Sequence, residues 1–270
     1  MTPASEQHTT RHVVVTLDAS ESGRPALETA VRLAALTGAH LEGVFVEDIN
    51  LIRLAELPFL RELRPSSLAE EAISSQRMQR ELRSLARRAR RMLEQAAVEM
   101  GVHWSFQVWR GHAGAETLAE TFSADILSLG RVSSLRFSGT WSAGGLRARR
   151  RSESPSQINV LFSNSKQAVR ALTTACRLAN DLGAPLSVIL PEKRKADLQQ
   201  LRQKALTILE SCGQAACFVQ LSGGSLQSLE QLTGISGQCI LIAGSRHTLL
   251  QQAGLDRCLN TLTCPVLLVR

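Results

Sequence analysis

Asp18 and Ser20 stand in a turn, Asp18-Ala19-Ser20-Glu21-Ser22-Gly23, between a short apolar run, Val13–Leu17, and a helical pattern that starts near Pro25. A carboxylate and a hydroxyl at that point have two uses. They can cap the helix, because side-chain oxygens there accept from its unpaired first-turn amides. They can also face a ligand lying across the carboxyl ends of parallel strands. Other chemistry finds little support. His40, His103, His112 and His247 are scattered, with no HExxH spacing and no nucleophile elbow around a serine. A receiver domain needs clustered acids after its first strand, an Asp ending its third and a later Lys. Asp18 stands alone, and the first half of the chain has no Lys. The HxGH motif of nucleotidyl transferases is absent as well. The residues therefore predict a protein that is not an enzyme, with no metal site. All six cysteines (176, 212, 217, 239, 258 and 264) lie in the second half at spacings of no familiar metal centre. Cys176, Cys239 and Cys264 fall on faces expected to be buried, as core packing in a reducing compartment.

The elements that position Asp18 are written twice. Val13–Leu17, the turn, a helix from Pro25 to Leu36, the break Thr37-Gly38-Ala39 and the run Leu41–Val46 return 145 residues later. An ungapped comparison of Asp18–Leu41 with Ser163–Leu186 gives 11 identities in 24 positions, among them Ser20, Leu27, Arg32, Leu33, Gly38 and Leu41. This reads as an internal duplication of a strand–turn–helix–strand unit, right-handed when both strands join one parallel sheet. Further strands are expected at His103–Val108, Asp125–Gly130, Ala216–Leu221, Cys239–Ala243 and Pro265–Val269. Helices are expected at Ala115–Phe122, Leu198–Leu209, Leu226–Leu232 and Thr248–Leu262. Strands that alternate with helices and are apolar throughout imply a parallel sheet covered on both faces. The fold class is α/β: two doubly wound parallel-sheet domains in tandem. The expected division is a disordered 1–12, a first domain at 13–135, a linker at 136–157 and a second domain at 158–270. The interval from Gly130 to Ile158 is rich in Gly, Ser and Arg and has no clear apolar strand. The first domain is therefore expected to lack the fifth strand that Pro265–Val269 gives the second.

Leu51–Arg64 reads as a short half-buried connector with leucines at helical spacing until Pro58. A long helix is expected to start at Ser66 or Ser67, with Glu70 and Glu71 in its first turn, and to end at Gly101. It carries arginines at 77, 80, 83, 87, 88, 90 and 91. Arg80, Arg83, Arg87, Arg90 and Arg91 share one broad face, and Leu82, Leu85, Ala89, Leu93 and Ala96 turn elsewhere. That face is either solvated or a docking surface for an acidic partner. The formal charge of +7 is uneven: 20 arginines against 18 acids through Gln157, then 11 bases against 6 acids. Neither half is basic enough to demand nucleic acid. No stretch nears the ~18 to 20 apolar residues that span a membrane, and Met1–His12 does not read as a signal peptide. The expected location is the cytoplasm.

Over its whole length the chain resembles a tandem universal stress protein, with two such domains in one chain. The resemblance rests on Leu17-Asp18-Ala19-Ser20 and the Ala- and Leu-rich helix after it. It rests equally on Gly38-Ala39-x-Leu41 with Val44-Phe45-Val46-Glu47-Asp48, on Ala124-Asp125-Ile126-Leu127-Ser128-Leu129-Gly130, and on Cys264-Pro265-Val266. Members that bind ATP carry Gly, two residues, Gly, nine residues, then Gly and Ser or Thr, because glycines let main-chain amides approach phosphate oxygens. Gly130 keeps the first glycine here, Ser133 stands at the second and Ala143 at the third. In the second half Gly244 survives, with His247 and Arg257 at the later positions and Ser163 in the place of Asp18. The resemblance thus implies degenerate phosphate loops. The first crevice retains Asp18, Ser20, Val46, Gly130 and Ser133 for a nucleotide, ATP or AMP, with no cofactor required. It implies a non-catalytic stress-response factor acting through protein contacts. The alternatives are a nucleotide sensor using the first crevice and binding of nucleic acid or an acidic partner by the arginine helix. It also implies that the two domains pack as an intramolecular pseudo-dimer, with Val266–Val269 a pairing edge and a homodimer open.

Overall fold

The computed structural model describes residues 10–18, 23–49, 53, 61–63, 70–72, 75–111, 118–119, 121–130, 157–191, 195–221, 226–235, 239–254, 257, 259, 262 and 264–270. The first half gives β1 (His12–Leu17), α1 (Arg24–Thr37), β2 (His40–Asp48), β3 (Arg61–Leu63), β4 (Glu70–Ala72), α2 (Ser75–Glu99), β5 (Trp104–Gly111) and β6 (Ile126–Leu129). The second gives β7 (Gln157–Leu161), α3 (Lys166–Leu182), β8 (Leu186–Leu190), α4 (Lys195–Cys212), β9 (Ala216–Gln220), α5 (Leu226–Ile235), β10 (Cys239–Gly244), α6 (Thr248–Ala253) and β11 (Val266–Val269).

Nine strands form one sheet in the order β5-β2-β1-β6-β11-β10-β7-β8-β9. Every pairing is parallel except β6 with β11, where Leu129 faces Val266 and Ile126 faces Val269. The mixed α/β class with a doubly wound, mostly parallel sheet is as the sequence predicts. The order β5-β2-β1-β6 in one half is repeated as β9-β8-β7-β10 in the other. The side of β6 on which a fifth strand would lie is occupied by β11. Val266–Val269 is therefore no free edge: its pairing surface is used within the chain, and β5 and β9 are the sheet's outer strands.

Strand periodicity sorts the core. Val13, Val15 and Leu17 point to the face covered by α1, α2, α3 and α4, while Val14 points to the opposite face with Leu118, Phe122, Leu229, Leu249 and Leu250. Residues of one strand are buried on both sides, which is why the run is apolar throughout. In α1, Ala26, Leu27, Ala30, Val31, Leu33 and Ala34 are buried, and Gly38 closes the helix at φ 64 with its amide on the carbonyls of Ala34 and Ala35. Gly183 closes α3 in the same way at φ 61. A left-handed residue after the last turn favours glycine, so the same break follows both helices. On α2 the buried residues are Met78, Leu82, Ala86, Ala89, Leu93 and Ala97. Leu93 lies over Gly43 of β2, where a Cβ would collide with it.

Three expectations are corrected. The long helix starts at Ser75, not at Ser66 or Ser67, and Glu70 and Glu71 lie in β4, paired antiparallel with β3. The antiparallel ladder with Arg61–Leu63 holds Glu70–Ala72 extended, so these residues cannot form a first helical turn. The closing helix ends at Ala253, where Gly254 takes φ 76 and ψ 127, and only Arg257 and Leu259 are helical among the described residues beyond it. Residues 10–12 are ordered into the sheet: the amides of Arg11 and His12 both donate to Asp125 Oδ2, at 2.8 and 3.1 Å. Residues 1–9, most of the Leu51–Arg64 connector and residues 131–156, which hold most of the expected linker, lie outside the described residues.

Candidate functional site

Asp18, Val46 and Gly130 come together at the carboxyl ends of three adjacent strands. Leu17 pairs with Phe45, so Asp18 and Val46 leave β1 and β2 at one level. Val15 pairs with Ser128, which puts Gly130 level with Leu17 on the other side. Asp18 and Val46 are half-buried and Gly130 is buried. Ser20 and Ser133 lie outside the described residues. The N-cap position of α1 is held by Gly23, with Pro25 in the first turn. Gly130 sits against that turn: a Cβ on it would lie 3.4 Å from Gly23 Cα and 3.5 Å from Ala26 Cβ. Beside it, the Ser128 hydroxyl donates to the Ala26 carbonyl at 3.0 Å.

Next to Val46, the carboxylate of Glu47 is almost wholly buried and accepts from Arg110 Nε and Nη2 at 3.0 and 2.9 Å. Parallel register sets Glu47 opposite Arg110 on β5. The sequence puts Glu47 at the exit of the second strand and Arg110 in the turn beyond His103–Val108, whereas β5 runs on to Gly111 and its register on β2 makes the pair.

In the second half the same positions are taken up by internal bonds. Ser165 caps α3, its hydroxyl accepting from the Ala168 amide at 3.0 Å, and the hydroxyls of Ser163 and Ser165 lie 3.3 Å apart. Lys204 of α4 donates to Asn164 Oδ1 at 2.7 Å. Gly244 is pressed harder than Gly130: a Cβ there would meet Gln167 Cβ at 2.9 Å and the Ala168 nitrogen at 3.3 Å. His247 is buried, with 2% of its surface exposed, and caps α6 through Nδ1, which accepts from the Leu249 amide at 3.3 Å. Its Nε2 has no hydrogen-bond partner among the described residues, and burial pushes its pKa down to about 4. The ring is therefore neutral at pH 7, with Nε2 carrying its one proton while Nδ1 accepts.

Cys176, Cys239 and Cys264 are buried as expected. Burial, with Cys212 alongside, pushes Cys176 up to about 12. Cys239 and Cys264 lie side by side: the hydrogen bond from Cys264 holds Cys239 down, and the same bond together with burial pushes Cys264 up. Among the described residues no cluster of His, Cys, Asp or Glu could hold a metal ion. None of their helices is long and apolar enough to cross a membrane. An open depression of about 420 Å³ lies at the α4–β9 turn, lined by Leu206, Leu209, Glu210 and Gly213, away from the strand ends that carry Asp18.

The fold these strand ends belong to is that of the universal stress proteins. A universal stress protein from Archaeoglobus fulgidus DSM 4304 superposes with a TM-score of 0.55 at 13% identity, covering 96% of each chain. A second structure of a universal stress protein from Archaeoglobus fulgidus covers 42% of this chain and 98% of its own, at 18% identity and a TM-score of 0.35. A functionally unknown protein from Pseudomonas aeruginosa PAO1 covers 96% of this chain and 92% of its own, at 13% identity and a TM-score of 0.44. No protein-family model and no curated protein matches the sequence.

Proposed function

We propose that this protein is a non-catalytic, universal-stress-protein-like factor that acts through protein contacts and has degenerate phosphate-binding loops. The observation that carries the reading is His247. A phosphate loop works by leaving main-chain amides unpaired for the ligand. Here the turn after β10 buries an imidazole and gives the Leu249 amide to it. At the neighbouring helix the Ala168 amide is given to Ser165. Both donors are satisfied from within, so the second crevice offers a triphosphate little. A role in stress response is supported by the likeness to a solved universal stress protein, and the two halves are read as domains packed as a pseudo-dimer about the β6–β11 pair.

One observation favours a second reading, a sensor of ATP or AMP in the first crevice. Asp18, Val46 and Gly130 converge on three adjacent strand ends there, the positions that the family resemblance gives to a nucleotide. Thermal denaturation with millimolar ATP or AMP separates the two, since a ligand that binds only the native state must raise the midpoint. The leading reading expects an unchanged midpoint. A rise that Asp18→Ala abolishes establishes the sensor instead. Copurification of tightly held ATP, or its hydrolysis, overturns the leading reading outright.

A further inference from the structure

Building on the reading of a protein that works through protein contacts, we propose that the outer face of α2 is a docking surface for an acidic protein segment. The segment would carry Asp or Glu on successive turns of a helix. α2 runs 25 residues, and its inner side is committed to the sheet through Met78, Leu82, Ala86, Ala89, Leu93 and Ala97. Opposite that side, Arg80, Arg83, Arg87, Arg90 and Arg91 are all exposed. At 1.5 Å per residue the stripe from Arg80 to Arg91 is about 16 Å long, and neighbours one turn apart repeat at about 6 Å. Carboxylates at i and i+4 of a partner helix repeat at the same pitch.

The arginines are available. Arg77 pairs with Glu81 on its own helix, and Arg80 Nε donates to the Gln76 carbonyl at 3.4 Å. Among the described residues, Arg83, Arg87, Arg90 and Arg91 take no ion-pair partner. The corresponding helix of the second half differs: Arg202 of α4 stacks over the Phe218 ring at 5.1 Å, and Lys204 is bound to Asn164. Arg202 and Lys204 thus have partners within the chain, whereas Arg83, Arg87, Arg90 and Arg91 of α2 are exposed and, among the described residues, have no ion-pair partner.

Carboxylates fit this face better than a phosphate backbone. The helix carries no aromatic side chain on which a base could stack, so it lacks the platform that single-stranded nucleic acid uses. Glu81 and Glu94 stand beside the stripe and would repel a continuous phosphate chain, while a peptide can meet them with its own cations. The surrounding half of the chain is only weakly basic, 20 arginines against 18 acids, so the long-range field that gathers nucleic acid is small. Every cation on the face is Arg, whose planar fork grips a carboxylate through two hydrogen bonds.

The test is fluorescence anisotropy at low ionic strength with three labelled probes. One is a helical peptide bearing Glu at i, i+4, i+8 and i+12. The second has the same composition with its glutamates spread around the helix. The third is a single-stranded oligonucleotide of equal net charge. The striped peptide is expected to bind tightest. The combined variant Arg80→Gln, Arg83→Gln, Arg87→Gln, Arg91→Gln is expected to lose at least tenfold in affinity, and the matching Lys set to recover part of it. The smaller pair Arg87→Gln, Arg91→Gln repeats the test with half the change if the larger set unfolds. No binding by the native protein, equal affinity for the two peptides, tighter binding of the oligonucleotide or no loss in the Gln variants overturns the proposal. The non-catalytic reading is judged by ATP in the absence of any peptide, so the two can fail separately.

Discussion

Arg32 Nη1 of α1 lies 3.1 Å from Asp181 Oδ2 of α3, an ion pair between two helices that hold the same place in the two halves. The duplication sets Arg177 against Arg32 and Leu36 against Asp181. The contact is therefore made once and has no mirror image, because an apolar residue stands where the second carboxylate would be. Leu36 is 40% exposed. The halves are held in common by strands and only locally by charge.

That difference is measurable. The side chains of Arg32 and Asp181 are 41% and 30% exposed, and solvent screens such a pair to about 1 kcal/mol or less. A double-mutant cycle with Arg32→Ala and Asp181→Ala should return a coupling within that bound. Leu129→Ala, at a fully buried position paired with Val266 across the β6–β11 seam, should cost about 2–5 kcal/mol by the lost burial and the cavity left behind. Denaturant unfolding reads both. A coupling larger than the cost of Leu129→Ala would mean that charge holds the halves together.

The two strand-end glycines should respond differently to a methyl group. At Gly244 the Cβ meets a Cβ and a backbone nitrogen of α3 at 2.9 and 3.3 Å, so Gly244→Ala must displace the helix and should cost about 1–3 kcal/mol. At Gly130 the nearest atoms are 3.4 and 3.5 Å away, an ordinary contact, and Gly130→Ala should leave stability within about 0.5 kcal/mol. The comparison also separates packing from binding. A nucleotide-dependent rise in midpoint that disappears in Gly130→Ala, with the ligand-free midpoint unchanged, would assign that glycine to the ligand.

The helix stops should be interchangeable in kind. Gly38 and Gly183 hold φ of 64 and 61 after their helices, and neither has an atom within 4 Å of a would-be Cβ. The cost of Gly38→Ala or Gly183→Ala is then backbone strain alone, about 1 kcal/mol. Asn at either site should recover part of the loss. A much larger penalty at one of the two, read from the midpoint in urea, would show that the copies have diverged there.

How far the sequence reaches can be seen from single elements. The duplicated run containing Leu27, Leu33 and Gly38 declared a helix, its stop and the strand after it, because periodicity and a left-handed glycine are local signals. Asp18, Val46 and Gly130 were legible as a group only through the family pattern. Their convergence depends on which strand lies beside which. Glu47 and Arg110 are 63 residues apart, and nothing local to either announces their pairing. Glu70 and Glu71 misled for the opposite reason. Acids before a long amphipathic run resemble a first helical turn, whereas pairing with Arg61–Leu63 decides their conformation. The role of His247 was hidden in the same way. The sequence shows a histidine where the family pattern has a glycine, and burial plus a capping bond appear only once α6 is in place.

His247 gives the protein an acid limit that can be calculated in sign. Burial lowers its folded-state pKa from 6.5 to about 4, so the native state prefers the neutral ring. The unfolded chain takes up a proton as pH falls below 6.5, while the native state resists until about 4. Stability attributable to this residue is therefore complete above pH 6.5 and is lost progressively between 6.5 and 4. The shift corresponds to about 3 kcal/mol, on a side chain only 2% exposed. His247→Asn keeps an oxygen that can accept from the Leu249 amide but does not titrate. Denaturant unfolding of both proteins at pH 7 and pH 4.5 isolates the contribution from that of the carboxylates they share. The native protein should lose about 2–3 kcal/mol more than the Asn variant over that interval. Parallel losses in the two would mean that the imidazole is solvated, and the turn after β10 would then have room for a ligand after all.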